Sequence, residues 1–151
     1  MLKTLRMALV ATAALLSTAT LAHGPDAAGE AGNRAQVNKT IEIRMVEQNG
    51  RMLFQPPEIT ISRGDTVLFI VRNAGELEHE MVIDTLEGNQ RHKLQMQANP
   101  DMEHADPNAV RVESKKNGEI IWKFTHSGVF EYACLIPGHY EAGMHGRINV
   151  R

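Results

Sequence analysis

A chain of 151 residues with 16 basic and 18 acidic side chains has room for one domain and carries a net charge of −2, too balanced to grip nucleic acid through a basic face. Its single cysteine excludes an internal disulfide framework and any zinc site built on paired cysteines.

The chain opens with Lys3 and Arg6, an apolar run from Met7 to Leu16, and then small residues that offer cleavage at Ser17-Thr18-Ala19 or Thr20-Leu21-Ala22. This is the pattern of a secretory signal peptide over residues 1–22. The apolar run is too short to span a bilayer, so no stable membrane insertion is expected. Cleavage after Ala22 removes 22 of the 151 residues, leaving 129; two cations and no anion are lost, so the charge moves from −2 to −4. Export places Cys134 in an oxidising compartment, where thiols normally pair. A lone thiol there survives if it is buried or bound to a metal.

Residues 23–37 are rich in Ala, Gly, Asn and Asp without apolar periodicity, and read as a disordered lead-in to a domain over 38–151. Ile41, Ile43 and Met45 alternate with charged residues as a first strand. Asn49-Gly50 turns the chain into Met52 and Phe54. Pro56-Pro57 suits an edge or a bulge, after which Ile59 and Ile61 resume the alternation. Beyond the turn Ser62-Arg63-Gly64-Asp65, the residues from Thr66 to Val71 are apolar enough for a buried strand. Asn73-Ala74-Gly75 ends it. His79, Met81 and Ile83 share one parity, which puts an imidazole at the end of an inward-facing row.

From residue 85 to 98 the two-residue period disappears, and a short helix or an excursion ending before Pro100 is expected. Asp101 to Asn108 reads as polar loop, Val110 and Val112 as a short strand. After Asn117-Gly118, Ile120, Trp122 and Phe124 alternate again, and His126-Ser127-Gly128 leads into a strand that ends at Cys134. Seven or eight short strands between turn signals read as an all-β Greek-key sandwich or barrel with one insertion at about 85–108.

The stretch Cys134-Leu135-Ile136-Pro137-Gly138-His139-Tyr140-Glu141-Ala142-Gly143-Met144 joins that strand to a last one over 146–150. It offers a thiolate, an imidazole and a thioether from one loop. One thiolate, two imidazoles and a weak thioether form the mononuclear copper centre of electron-transfer proteins. The second imidazole must come from elsewhere, and His79 is the candidate. Pro137-Gly138 and Gly143 let a short loop aim its side chains at one point. A site held by two strands and a taut loop changes little between Cu(II) and Cu(I).

These residues resemble the cupredoxins, the plastocyanin/azurin family of small exported copper proteins, over roughly 38–151. The four-and-four spacing of Cys134, His139 and Met144 is similar to that of rusticyanin. His79-Glu80-Met81, Met102-Glu103-His104 and Pro137-Gly138-His139 resemble periplasmic cupredoxins of bacterial copper tolerance. The resemblance implies three equatorial ligands, His79, Cys134 and His139, with Met144 axial. It implies one-electron transfer by a type 1 copper, blue or green, in the periplasm. Many members carry Asn after the first ligand histidine, where it pins the two ligand loops together; here the residue is Glu80, whose charge would favour Cu(II). Leu135, Ile136, Pro137 and Tyr140 either form an apolar collar where a small redox partner, a cytochrome or copper enzyme, docks at the His139 edge, or merely pack the loop. The alternative role is copper sequestration or delivery, with electron transfer incidental.

Two weaker groupings stand beside this one. His92, Met96, Met102 and His104 could hold a second copper, although Met96 reads more readily as core filler. His23 would become the N-terminus if cleavage falls after Ala22, and could then chelate Cu(II). His126 and His145 read as structural or exposed. No His-x-His pair, Ser-His-Asp signature or phosphate-binding glycine loop is present, so an enzyme is not expected.

Overall fold

The computed structural model describes residues 28–99 and 106–151. Ten strands and one α-helix make up the described fold: β1 Gly29–Ala31, β2 Lys39–Gln48, β3 Arg51–Gln55, β4 Glu58–Ile61, β5 Thr66–Asn73, β6 His79–Asp84, α1 Leu86–Ala98, β7 Ala109–Val112, β8 Asn117–Phe124, β9 Gly128–Ala133 and β10 His145–Val150. They form two five-stranded sheets, in the orders β1-β8-β5-β2-β3 and β4-β10-β9-β6-β7. This is the expected β-sandwich. Most neighbours are antiparallel, but β2 pairs with β5 and β4 with β10 in parallel.

The alternation seen in the sequence explains the core. Ile43, Met45, Val67, Phe69, Val71, Trp122 and Phe124 from the first sheet meet Met81, Ile83, Tyr132, Ile148 and Val150 from the second, all buried. Phe54 and Tyr132 join the sheets edge to face, with centroids 5.3 Å apart. Each large apolar side chain so buried contributes about 1.5–3 kcal/mol. Pro56-Pro57 lies between β3 and β4, which are edge strands of different sheets, so the diproline marks the point where the chain crosses over.

Residues 85–98 resolve the expected ambiguity as a helix. Thr85 caps α1, its hydroxyl accepting from the Gly88 amide at 2.9 Å, as an N-cap threonine does. The helix lies on the outer face of β6 and β9, where Met96, Val82, Ala133 and Leu135 make a second, small apolar cluster. That is why β6 is buried on both faces while β10 alternates.

The lead-in departs from expectation from Ala28 onward. Ala28 is fully buried, and β1 pairs antiparallel with the edge of β8, Glu30 opposite Lys123. A Cβ on Gly29 would overlap the Lys123 carbonyl, so the small residue permits this close approach rather than signalling disorder. Asn33 then caps a short 3-10 turn over Arg34–Gln36. Residues 23–27 lie outside the described residues, as does the expected signal peptide. The ten described strands exceed the seven or eight expected; β1 is among those not anticipated, because three residues carry no readable period.

Candidate metal centre

His79 opens β6 and Cys134 follows β9, its neighbour in the second sheet; Val82 stands opposite Ala133. The loop from Cys134 to Met144 then returns to β10. It is held by its own backbone: His139 donates to the Ile136 carbonyl at 3.0 Å, Met144 to the His139 carbonyl at 3.1 Å, and Cys134 to the Met144 carbonyl at 3.0 Å. Gly138 and Gly143 take φ values of 88° and 102°, a region that favours glycine. The predicted turn residues therefore set the path of the loop.

The path brings three of the four predicted donors together. Ligand atoms of His79, Cys134 and His139 all lie within 4.8 Å of one another. The two Nδ1 atoms are 3.1 Å apart, and Cys134 Sγ is 3.3 Å from His139 Nδ1. His79 and Cys134 are fully buried, and His139 is half-buried. Among the described residues this is the one group of three His, Cys, Asp or Glu donors close enough to share an ion. Met144 is also fully buried, in the same core cluster as Cys134, and its backbone ties it to both Cys134 and His139.

The electrostatics suit a soft cation. Burial pushes the Cys134 thiol up to about 12, although the Glu80 and Ile136 amides and the Arg111 charge pull the other way. A thiolate in this position needs a cation beside it. The Glu80 amide lies 3.4 Å from Sγ, placed to donate to it. Burial also lowers His139 from its ordinary value, as does the nearby His79, against the opposite pull of Glu47. A neutral imidazole is the form that ligates. Thiolate, two imidazole Nδ1 atoms and a buried thioether make a soft-to-borderline donor set that fits copper.

Two carboxylates support the site. Glu80, almost wholly buried, accepts from the Leu135 amide at 3.0 Å. It thus ties β6 to the ligand loop, the task expected of Asn at that position. Glu47, at the end of β2, was not signalled by the sequence. Its Oε1 lies 2.9 Å from His79 Nε2, and it accepts from the amides of Glu76 and Leu77. Burial would raise its carboxyl; the hydrogen bonds from Leu77, Glu76 and His79 outweigh burial and hold it below the usual range.

The chain is matched by the family model for copper-binding proteins of the plastocyanin/azurin type over residues 41–151. The chain belongs to this family. It is 44% identical over 163 residues to the copper-resistant cuproprotein CopI of Rubrivivax gelatinosus, covering 97% of each chain. To the protein of that name from Pseudomonas aeruginosa it is 35% identical over 159 residues, 86% of this chain and 85% of the other. Among solved structures it resembles auracyanin B, with a TM-score of 0.66 at 20% identity over 85% of this chain and 99% of that one, a likeness of fold.

The remaining predicted residues of this cupredoxin divide three ways. Met96 fills the apolar cluster under α1 with no exposure, so it serves as core beside a half-buried His92. Met102, His104 and His23 lie outside the described residues. The apolar collar is smaller than its four residues suggest, because Leu135 is fully buried in the second cluster. Ile136 is half-buried and Pro137 exposed. Tyr140 faces α1 instead: it donates to Glu131 at 3.0 Å, stacks on His145 with centroids 4.7 Å apart, and lies under the Lys93 ammonium. His126 is near the Thr125 hydroxyl at the surface.

Proposed function

We propose that this cupredoxin is a one-electron carrier with a type 1 copper, working in the periplasm within copper tolerance. His79, Cys134 and His139 would hold the copper through Nδ1, Sγ and Nδ1, with the Met144 thioether as a further donor. Copper supplies a one-electron couple when bound. The chain's own part is to fix the donors, exclude water and leave one imidazole near the surface. The observation that carries the reading is the convergence of His79, Cys134 and His139 donor atoms within 4.8 Å, two of these residues being fully buried. Donors held by two adjacent strands and a hydrogen-bonded loop have little freedom to rearrange when the metal changes oxidation state.

His139 is the half-exposed member, so its edge is the proposed exit for the electron, and a small redox protein is the proposed partner. Ile136 and Pro137 flank that edge. A carrier rather than an enzyme is favoured by the absence of any His-x-His pair in the sequence, since oxidases that add catalytic coppers need further imidazoles. Export is supported by the basic–apolar–small pattern of the first 22 residues. No helix among the described residues is long and apolar enough to cross a membrane.

The test is an optical and EPR spectrum of the copper-loaded protein. Thiolate-to-Cu(II) charge transfer should give intense visible absorption that Cys134→Ser abolishes; full colour in that variant would refute the site. A second reading, copper as cargo, is favoured by the names of the relatives, which specify copper resistance. Copper tolerance that survives Met144→Gln and a charged residue at position 136, yet fails with Cys134→Ser, would select it.

A further inference from the structure

The two nitrogens of His79 have different neighbours. Nδ1 looks onto His139, whereas Nε2 lies 2.9 Å from Glu47 Oε1. The carboxylate is itself fixed. Its Oε1 accepts from the amides of Glu76 and Leu77, both at 3.0 Å, and its Oε2 accepts from Glu76 at 3.1 Å. Backbone amides can only donate, so the carboxylate acts here as acceptor and the proton shared with the ring belongs to Nε2. The loop it grips runs straight into His79. A Cβ on Gly75 would overlap Glu47 Oε1, so a glycine at that place opens the space the carboxylate occupies. The His79 side chain has 0% exposure, so its Nε2 proton needs an acceptor within the protein, and Glu47, 26% exposed, supplies it.

We propose that Glu47 is the positioning residue of the metal centre: it holds His79 as the Nε2–H tautomer, turns Nδ1 toward Cys134 and His139, and sets a negative charge behind the ring. The inference rests on the reading of His79 as a ligand. A histidine ligand commonly donates its other N–H to an outer group that fixes its tautomer and basicity. Here that group is a full carboxylate rather than a carbonyl. Its charge, carried through the imidazole, favours the oxidised over the reduced metal. Through the Glu76 and Leu77 amides the same carboxylate fixes the approach of the backbone, so ring and chain are aligned by one side chain from the other sheet.

The test uses the full chain in two states. In the metal-free protein, long-range 15N–1H spectra should show one His79 tautomer, protonated at Nε2, with a slowly exchanging proton. Glu47→Gln should keep that tautomer, because its amide oxygen still accepts. Glu47→Ala should lose it, and Gly75→Ala, which displaces the carboxylate without removing it, should do the same. In the copper-loaded protein, Glu47→Gln should keep the visible band and raise the reduction potential. A single Nε2–H tautomer persisting in Glu47→Ala, or an unmoved potential in Glu47→Gln, overturns the assignment. If Glu47→Ala does not fold, Glu47→Gln and Gly75→Ala still decide it. The metal-free measurement is independent of the colour of Cys134→Ser, so failure of the copper reading and failure of the Glu47 assignment are told apart.

Discussion

Met144 has a side chain fully enclosed in the main core and a backbone that bonds to both Cys134 and His139. Its sulfur can therefore be changed without unmaking the loop. Met144→Leu removes a weak donor and should raise the reduction potential; Met144→Gln offers an oxygen and should lower it, with equatorial binding kept in both. Voltammetry decides, and an unchanged potential in both variants would make Met144 a packing residue. Glu80→Ala should cost about 1–3 kcal/mol in denaturant unfolding, because the Leu135 amide loses its buried acceptor, whereas Glu80→Gln should restore most of that. The side chains that converge, His79, Cys134 and His139, could be picked out in the sequence because Cys134 and His139 lie close together with Met144, and because that donor set then called for one more histidine. Glu47 could not. It reaches His79 across 32 positions, and a glutamate before a turn carries no mark of where its carboxylate goes.

At the scale of elements, α1 is fastened to the ligand loop. Lys93 pairs with Glu141 at 2.9 Å, and Asn89 donates to Glu131 at 3.1 Å, the same carboxylate that accepts from Tyr140. These side chains were visible only as a polar stretch, since the helix shows an apolar contact at Met96 and leaves Leu86 and Leu94 exposed. Met96→Ala should destabilise the fold by about 2–5 kcal/mol through the cavity it leaves, measured by denaturant unfolding. It should leave the copper stoichiometry unchanged; loss of a bound equivalent would restore Met96 as a ligand. The strands were legible wherever they alternate. β1 was not, because its glycine serves a close backbone approach, and composition alone reads such a residue as disorder.

For the whole molecule, two five-stranded sheets packed on one apolar core carry the strands that hold the donors. The metal-free protein should therefore keep both sheets, and copper should act by mass action: saturation at about 100 times the dissociation constant adds about 2.7 kcal/mol to stability. Circular dichroism with and without copper, together with the shift in Tm, checks this. A metal-free chain without sheet signal would mean that the ion organises the fold. At the surface, Ile136→Glu should slow electron exchange with a redox partner in stopped-flow mixing while leaving the visible spectrum nearly unchanged, since the position flanks His139 without supplying a donor.

The placement of β10 has a consequence for when the metal can be captured. This last strand lies between β4 and β9, and the ligand loop is strung between β9 and β10. Of the described strands, β10 is the last to be made. Until then β4 and β9 have nothing between them, and the segment carrying Cys134 and His139 has no far anchor. Capture of the metal by the full donor set then waits on the docking of β10. A chain ending at Met144 keeps every proposed ligand and lacks only the strand; it should fail to develop visible colour with copper, and adding back the missing residues as a peptide should restore it.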